Sequence, residues 1–173
     1  MKVANFKKVS LEQFTKDVNN IFELDRSPES FSQDYESIEL PKRATAGSAG
    51  HDFKIPFDLS LSPGHEVLIP TGIRCEFLNM DWVLKCYPRS GHGTKFGIQL
   101  MNTVGIIDAD YYFAKNEGHI MFKLRNTGDK TFSIEAGESF AQGVFVQYGT
   151  ADEEEILITR VGGFGSTSVS LGR

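Results

Sequence analysis

Five short segments of the sequence carry polar residues that a plain β-sheet framework does not need. In one of them, YPRSGHGTKFG, Arg89 and Ser90 are followed directly by Gly91. A guanidinium group, a hydroxyl and exposed backbone amides together make a good binding site for an anion. Ser90 and His92 have the residue types of a nucleophile–base pair, but no third residue to orient the histidine is apparent, so a hydrolytic triad is not favoured.

The segment MNTVGIIDADYY places aspartates at the end of an apolar strand. Val104 to Ile107 are followed by Asp108 and Asp110, with Tyr111 beside them. A carboxylate at a strand end can be held rigidly and partly desolvated, as a general base requires. The same pair could equally bind a metal ion or merely terminate the strand, and the residues alone leave these alternatives open.

The other three segments are weaker signals. Asp52 follows the small-residue turn TAGSAGH, where a structural role is the simpler interpretation. Gln142 lies between Phe140 and Phe145 and faces either solvent, which the residues alone favour, or a ligand. GGFGSTS, residues 162–168, has the composition of a phosphate-binding loop. Only five residues follow it, too few for the helix that such loops normally open.

Short strands must position these residues. From Ser37 onward, apolar and polar residues alternate in IRCEF, WVLKC and HIMFKLRN, and turn-forming residues separate the runs. FAQGVFVQY and EILIT, residues 155–159, are further predicted strands. Roughly ten short strands without alternating helices predict an all-β barrel or jelly roll.

Residues 1–36 have a different pattern. In SLEQFTKDVNNIFEL apolar residues recur at three- and four-residue spacing, and Ser10 with Gln13 forms a plausible capping box. We predict a helix over about residues 10–24, followed by a polar linker. The helix either packs on its own domain, which we favour, or binds a partner protein.

Composition narrows the classes of function. A chain of 173 residues with 40% hydrophobic and 24% charged residues is most simply one domain of an ordinary soluble protein. The net charge of −5 argues against a nucleic-acid partner, and the apolar runs are too short for a membrane span or signal peptide. We expect a cytoplasmic protein in which Cys75 and Cys86 are buried and reduced. The four histidines show no metal-ligand spacing.

Taken in order, the segments resemble the five motifs of the trimeric deoxyuridine triphosphatases (dUTPases). The resemblance spans about residues 38–168 and rests on LPKRATAGSAGHDF, SPGHEVLIPTGI, PRSGHGTKFGI, NTVGIIDADY, GESFAQ and GGFGSTS. It implies a jelly-roll-like β-barrel over residues 37–159, an N-terminal helical extension over residues 1–36 and a flexible C-terminal arm over residues 160–173.

The implied activity is Mg²⁺-dependent hydrolysis of dUTP to dUMP and pyrophosphate, at active sites shared between the subunits of a homotrimer. By resemblance Asp108 is the general base, and Asp52 contacts the metal ion through water. Asn102 reads the uracil edge, Tyr111 packs under the deoxyribose, and Phe164 stacks over the base when the arm closes. Ser90 and Gln142 are implied as catalytic residues beside Asp108, and both also bind substrate. The remaining substrate-binding residues implied in this way are Arg89, Gly91, Gly105, Ile107, Arg160, Gly165, Ser166 and Thr167.

The sequence departs from the family pattern at three places. Tyr111 runs into YFAKNE, and glycine returns only at Gly118, which indicates an insertion at residues 112–117. Ser139 stands where the fourth motif usually has arginine, and one residue is missing between Arg160 and the glycine pair. An N-terminal extension with an inserted loop would suit a phage-encoded member.

The residues leave two functions other than hydrolysis open. A dCTP deaminase shares the fold and typically carries a glutamate soon after the strand-end motif, where Glu117 is a candidate, although DADY fits the dUTPase pattern better. A nucleotide-dependent regulatory protein could instead bind a partner through the N-terminal helix or the 112–117 insertion.

Overall fold

The strands of the computed structural model, which describes residues 1–151, form four antiparallel sheets. The strands are Ala4–Lys8 (β1), Lys42–Arg43 (β2), His51–Lys54 (β3), Leu59–Leu61 (β4), Glu66–Pro70 (β5), Ile73–Phe77 (β6), Trp82–Pro88 (β7), Ile98–Leu100 (β8), Gly105–Ile107 (β9), Met121–Asn126 (β10), Phe132–Ile134 (β11) and Ser139–Gln147 (β12). The helices are Leu11–Phe22 (α1), Ser32–Ser37 (α2) and Ser90–Phe96 (α3), with 3₁₀ turns at Pro28–Phe31 and Ala109–Phe113.

The largest sheet carries most of the predicted site, in the order β2-β3-β12-β7-β9. A three-stranded sheet has the order β5-β10-β8, and β1-β6 and β11-β4 form two-stranded ribbons. On β10, Phe122 and Leu124 point into the core while Lys123 and Arg125 remain exposed, as period-2 alternation predicts. The sheets enclose one apolar core, so the predicted all-β class is confirmed.

The N-terminal extension, residues 1–36, packs on the sheet framework. β1 pairs with β6, and α1 begins after Ser10, whose hydroxyl oxygen accepts the Gln13 backbone N–H at 3.1 Å. Phe14 and Val18 on α1 are buried. The structure thus has a helix at Leu11–Phe22, within the predicted range, and its apolar face packs on the same chain, whereas β1 was not anticipated.

The polar stretch after the helix has secondary structure of its own. This stretch contains a 3₁₀ turn and α2, because two of its aromatic side chains find partners in the extension. Phe31 packs edge-on against Phe14 with 6.4 Å between ring centroids, and the Tyr35 hydroxyl donates to the Val9 carbonyl at 2.6 Å. Both contacts fold the segment back onto α1 and β1.

Cys75 and Cys86 are buried free cysteines, as predicted, and burial raises the pKa of the Cys86 thiol to about 12. None of the helices in residues 1–151 is long and apolar enough to cross a membrane. The predicted strand at residues 155–159 and the C-terminal arm, residues 160–173, lie outside the described residues.

Candidate active site

Three residues that are far apart in the sequence meet at one end of the largest sheet. On β12, Gln142 lies opposite Asp52 of β3 on one side and opposite Tyr87 of β7 on the other. Arg89 follows the last residue of β7, and its Nη1 lies 3.3 Å from Oδ2 of Asp52. We call Asp52, Arg89 and Gln142 the phosphate cluster, because a guanidinium, an amide and a carboxylate together can bind phosphate and its counterion.

The Gln142 side chain is held toward this cluster by its neighbours. Its Nε2 donates to the Pro88 carbonyl at 3.5 Å. A Cβ atom added to Gly50 would overlap Oε1 of Gln142, so the turn before β3 leaves room for the amide only because residue 50 is glycine. The turn TAGSAGH therefore sets the position of the Gln142 amide beside Asp52 and Arg89.

The anion-loop segment after β7 forms the short helix α3. The Arg89 backbone N–H donates to the Phe140 carbonyl at 3.3 Å, which fixes the start of α3 beside β12. A Cβ atom on Gly91 would meet nothing within 4 Å, so packing within the chain does not require glycine there. Space beside the backbone at Gly91 is what a bound phosphate needs.

His92 is not arranged as a base for Ser90. Its ring packs against Phe132 with 4.8 Å between centroids, and burial lowers the pKa of the imidazole. The Ser90 carbonyl accepts the Thr94 hydroxyl at 2.7 Å within α3. This agrees with the sequence analysis, which did not favour a hydrolytic triad.

The strand-end aspartates form a second region on the same sheet. β9 runs antiparallel to β7, with Gly105 opposite Cys86 and Ile107 opposite Leu84. Asp108 directly follows Ile107, so it lies at the end of β9 remote from Arg89. The residue of β7 beside Asp108 is Val83, which precedes Pro88 by five residues, a span of about 16 Å. Within one chain, Asp108 and the phosphate cluster are therefore well separated.

The turn between β8 and β9 presents Asn102 at the surface. Asn102 and Thr103 are both exposed, and Thr103 adopts a left-handed φ of 64°. The turn is closed by a 2.6 Å hydrogen bond from the Val104 N–H to the Asn102 carbonyl. Gly105 packs closely on Cys86, where an added Cβ would lie 3.0 Å from the cysteine Cβ. The predicted base-reading side chain is thus accessible to a ligand.

Tyr111 lies in the 3₁₀ turn after Asp108 and is 4% exposed. Its hydroxyl donates to the His119 carbonyl and accepts from Asn116 Nδ2, both at 2.8 Å. The backbone at Gly118 has φ of +70°, and a Cβ there would overlap the Tyr111 carbonyl. The 112–117 insertion thus wraps around the tyrosine.

Sequence reasoning missed Gly50 and the contacts of His119. A glycine two residues before the first-motif aspartate was the available signal for Gly50. His119 was considered only for metal-ligand spacing, although it lies two residues after the inserted loop. Arg160, Phe164, Gly165, Ser166 and Thr167 lie outside the described residues, so the structure does not bear on these predicted substrate contacts.

An arginine, an aspartate and a glutamine thus lie together at one end of an antiparallel β-sheet, and such a set of side chains can bind a phosphorylated ligand. The dUTPase family model matches residues 36–168. The deoxyuridine 5'-triphosphate nucleotidohydrolase of Lactococcus lactis is 44% identical over 133 residues, which are 75% of this chain and 88% of that protein. The Shewanella woodyi enzyme of the same name is 41% identical over 138 residues, covering 76% and 88% of the two chains.

Solved structures show the same likeness. The Streptococcus mutans dUTPase superposes with a TM-score of 0.63 at 34% identity, covering 86% of this chain and 98% of that chain. A mutant dUTPase of phage phi11 of Staphylococcus aureus shares the fold, with a TM-score of 0.63 at 17% identity over 91% of this chain and 98% of that one. The chain belongs to the dUTPase family. The predicted family and enzyme class, a dUTP diphosphatase, are confirmed.

Proposed function

We propose that this chain hydrolyses dUTP to dUMP and pyrophosphate, with Asp108 activating the attacking water. The phosphate cluster is the observation that carries the proposal, because Asp52 and Gln142 come from the first and fourth motifs and Arg89 from the second. Water attacks the α-phosphorus, the bond to the β-phosphate oxygen breaks, and pyrophosphate leaves with the bonding electrons. Asp108 accepts the proton of the water. A carboxylate is a weak base at neutral pH, so much of the acceleration must come from orientation and charge stabilisation.

Each member of the phosphate cluster has a distinct role in this proposal. The Arg89 side chain is 42% exposed, so its guanidinium can turn from Asp52 to neutralise phosphate oxygens. Ser90 donates a hydrogen bond near the bond that breaks, and the Gly91 backbone approaches the phosphates closely. The Gln142 amide, held by Pro88 and Gly50, contacts the phosphate chain.

Mg²⁺ bound to the triphosphate would neutralise its charge and align it for attack. The donor groups of the chain fit an ion that is held mainly by substrate. Residues 1–151 contain no group of three His, Cys, Asp or Glu side chains placed to enclose a metal ion. Mg²⁺ usually keeps several waters and binds through one or two carboxylates together with substrate phosphates. Asp52, whose side chain is 18% exposed, suits contact through such a water.

The separation of Asp108 from Ser90 supports active sites shared between subunits of a homotrimer. Both residues are needed at the α-phosphorus. However, Asp108 lies beside Val83 of β7, which is about 16 Å from Pro88, and Ser90 lies beyond Pro88. Reacting groups must lie within about 3–3.5 Å of one another. The two residues can act on one nucleotide when the phosphate cluster comes from one subunit and Asp108 from its neighbour.

Selection for the uracil base and the deoxyribose depends on the Asn102 turn and on Tyr111. Asn102 is exposed beside β9, where its amide can form hydrogen bonds with the edge of uracil. Cytosine in the same place would leave polar groups unpaired, which disfavours its binding. Tyr111 is 4% exposed and its hydroxyl makes two hydrogen bonds, so its ring is fixed in place. In this proposal the fixed ring lies under the deoxyribose and leaves no room for a 2′-hydroxyl. Phe164, Arg160 and the hydroxyl-bearing residues of the arm would close over base and phosphates.

The contacts of Glu117 disfavour the deaminase alternative. Both carboxylate oxygens of Glu117 accept hydrogen bonds from Ser10, at 2.8 Å from the backbone N–H and 2.6 Å from the hydroxyl. Its Oε2 also lies 3.7 Å from Nη1 of Arg74. The glutamate that a deaminase would need for chemistry is therefore engaged in holding α1.

Product analysis tests the proposal. The full chain is incubated with Mg²⁺ and, separately, dUTP, dCTP, dTTP and UTP, and the products are resolved by ion-exchange chromatography. We expect dUMP and pyrophosphate from dUTP alone. Ammonia from dCTP, or turnover of none of the four nucleotides, would overturn the proposal.

A further inference from the structure

We propose that the N-terminal extension, residues 1–36, is a positioning element for the sugar pocket. In this inference Asp17 on α1 and Glu117 in the insertion hold the segment that carries Tyr111, and so set the discrimination between dUTP and UTP. The inference rests on the proposed function. Its residues lie outside the phosphate cluster, and the proposed function gives the extension and the insertion no role in the reaction.

The first link runs from α1 to His119, which is completely buried. Its Nε2 accepts the Gly72 backbone N–H at 2.7 Å and therefore carries no proton. The proton lies on Nδ1, which donates to Oδ2 of Asp17 at 2.6 Å. Gln13, one helical turn before Asp17, donates to the same oxygen at 2.8 Å. The imidazole is thus fixed between the core and α1.

The second link runs from His119 to Tyr111. The carbonyl of His119 accepts the Tyr111 hydroxyl at 2.8 Å, while the imidazole of the same residue is bound to Asp17. The next residue, Ile120, donates its backbone N–H to the Ile73 carbonyl at 2.8 Å. His119 therefore connects α1 with Tyr111, because its imidazole binds Asp17 and its carbonyl binds the tyrosine hydroxyl. A shift of α1 is expected to move the tyrosine through this residue.

A parallel connection joins the start of α1 to the insertion. Glu117 caps the helix by accepting both hydrogen bonds from Ser10. Its backbone has a left-handed φ of 57°, which an L residue other than glycine adopts only when surrounding contacts hold it. Arg74 on β6 completes the connection, since its Nη2 donates to the Tyr112 carbonyl at 2.6 Å and its guanidinium lies 3.7 Å from the Tyr112 ring centroid.

The contacts of the extension lie at the start of α1 and within it. Ser10 is the N-cap residue that precedes α1, and Asp17 lies on the helix. They meet residues more than 100 positions away in the sequence, on both sides of Gly118. The extension and the insertion therefore support one another, and the tyrosine lies within the segment that they hold.

This arrangement has a consequence for specificity. Exclusion of a 2′-hydroxyl depends on a ring position defined to a fraction of an ångström. Asp17 does not belong to the phosphate cluster or to the Asn102 turn, so it acts as a positioning residue through His119. Loss of its charge should loosen Tyr111 and admit UTP without disabling the phosphate chemistry.

The test measures kcat and KM of the full-length protein for dUTP and UTP with saturating Mg²⁺. In Asp17→Asn, the ratio of kcat/KM for dUTP to kcat/KM for UTP should fall about tenfold, mainly through changes in KM. The kcat for dUTP should change less than about twofold. Glu66→Gln is the matched control, because it removes an ion pair to Lys123 (3.1 Å) on β10 and should leave the ratio unchanged. An unchanged ratio in Asp17→Asn, with an active wild-type protein, overturns this inference alone.

A double-mutant cycle separates positioning from a general loss of stability. Tyr111→Phe removes the hydroxyl that donates to His119, and combining it with Asp17→Asn should reduce the ratio less than the product of the single effects. Independent, multiplicative effects would overturn the coupling. If Asp17→Asn fails to fold, Ser10→Ala is used instead, since it removes one hydrogen bond to Glu117 and should lower the same ratio. Absence of dUTP hydrolysis by the wild type overturns the proposed function, and this inference with it.

Discussion

Nη1 of Arg89 lies 3.3 Å from Oδ2 of Asp52, although β12 separates β7, which Arg89 follows, from β3 in the largest sheet. The Arg89 side chain is 42% exposed and that of Asp52 18% exposed. A pair as open as this contributes little to the stability of the fold, because solvent screens it. Because the pair is weak, the Arg89 guanidinium can exchange Asp52 for a phosphate oxygen, as the proposed function requires.

Gly50→Ala should impair catalysis without unfolding the protein. The added Cβ overlaps Oε1 of Gln142 and forces the amide out of the phosphate cluster. We expect kcat/KM for dUTP to fall at least about tenfold, as for the loss of one oriented hydrogen-bond donor. Steady-state kinetics and a thermal unfolding curve provide the measurement.

Gly47→Ala is the control in the same turn, because its Cβ would meet nothing within 4 Å. It should retain wild-type kinetics. Equal activity in the two variants would show that Gln142 does not need its observed position.

Gly118→Ala should destabilise the fold more than Gly137→Ala. Both glycines have positive φ, of +70° and +84°, but only at position 118 would the Cβ overlap another part of the backbone, at Tyr111 and Tyr112. We expect a loss of about 1 kcal/mol at Gly137 from backbone strain alone and at least about 2 kcal/mol more at Gly118. Urea unfolding measures both, and similar losses would contradict the packing of the insertion around Tyr111.

The buried thiol of Cys86 should make stability depend on pH in alkaline solution. Burial raises its pKa from 9.0 to about 12, so the folded protein retains a proton that the unfolded chain releases. This contribution to stability is fully present below about pH 9 and is lost as pH rises toward 12, at up to about 1.4 kcal/mol per pH unit.

Cys86→Ala removes this titration. The free energy of unfolding should therefore fall less steeply between pH 9 and 11 in the variant than in the wild type. Identical slopes for the two proteins would mean that Cys86 is not buried in solution.

Several elements could be predicted from the sequence because their signals are local. The helix at Leu11–Phe22 follows from apolar spacing and from Ser10, and the strands follow from alternation. The capping box was only half right: Gln13 turns to Asp17, and Glu117 takes the Ser10 N–H in its place. A contact between residues 107 positions apart leaves no periodic signal.

The candidate site shows the same division. Motif order identified Asp52, Arg89 and Gln142, but alternation alone could not decide which way Gln142 faces. A register shift between Ser139 and Ala141 on β12 precedes it, and such a shift resets the alternation of side chains along the strand.

Asp108→Asn should separate binding from chemistry. The substitution keeps size and hydrogen-bonding shape but removes the proton acceptor, so turnover of dUTP should fall by about 10³-fold. Affinity for dUTP in the presence of Mg²⁺, measured by isothermal titration calorimetry, should change little. A comparable loss of binding would mean that Asp108 has a structural role.

The central claim, that the phosphate cluster of one subunit works with Asp108 of another, is tested most directly by mixing two inactive variants. Arg89→Ala and Asp108→Asn, each nearly inactive alone, are co-expressed, and dUTP hydrolysis by the purified mixed oligomer is measured. Random mixing in a trimer should give about a quarter of the wild-type activity, because a quarter of the sites combine an intact cluster with an intact aspartate.

Arg89→Ala mixed with Gln142→Ala provides the matched control. Both residues belong to the cluster of a single chain, so every site in that mixture remains defective. Recovery in the first mixture and none in the second is the predicted result. No recovery in the first mixture, although mixed oligomers have formed, would contradict the account.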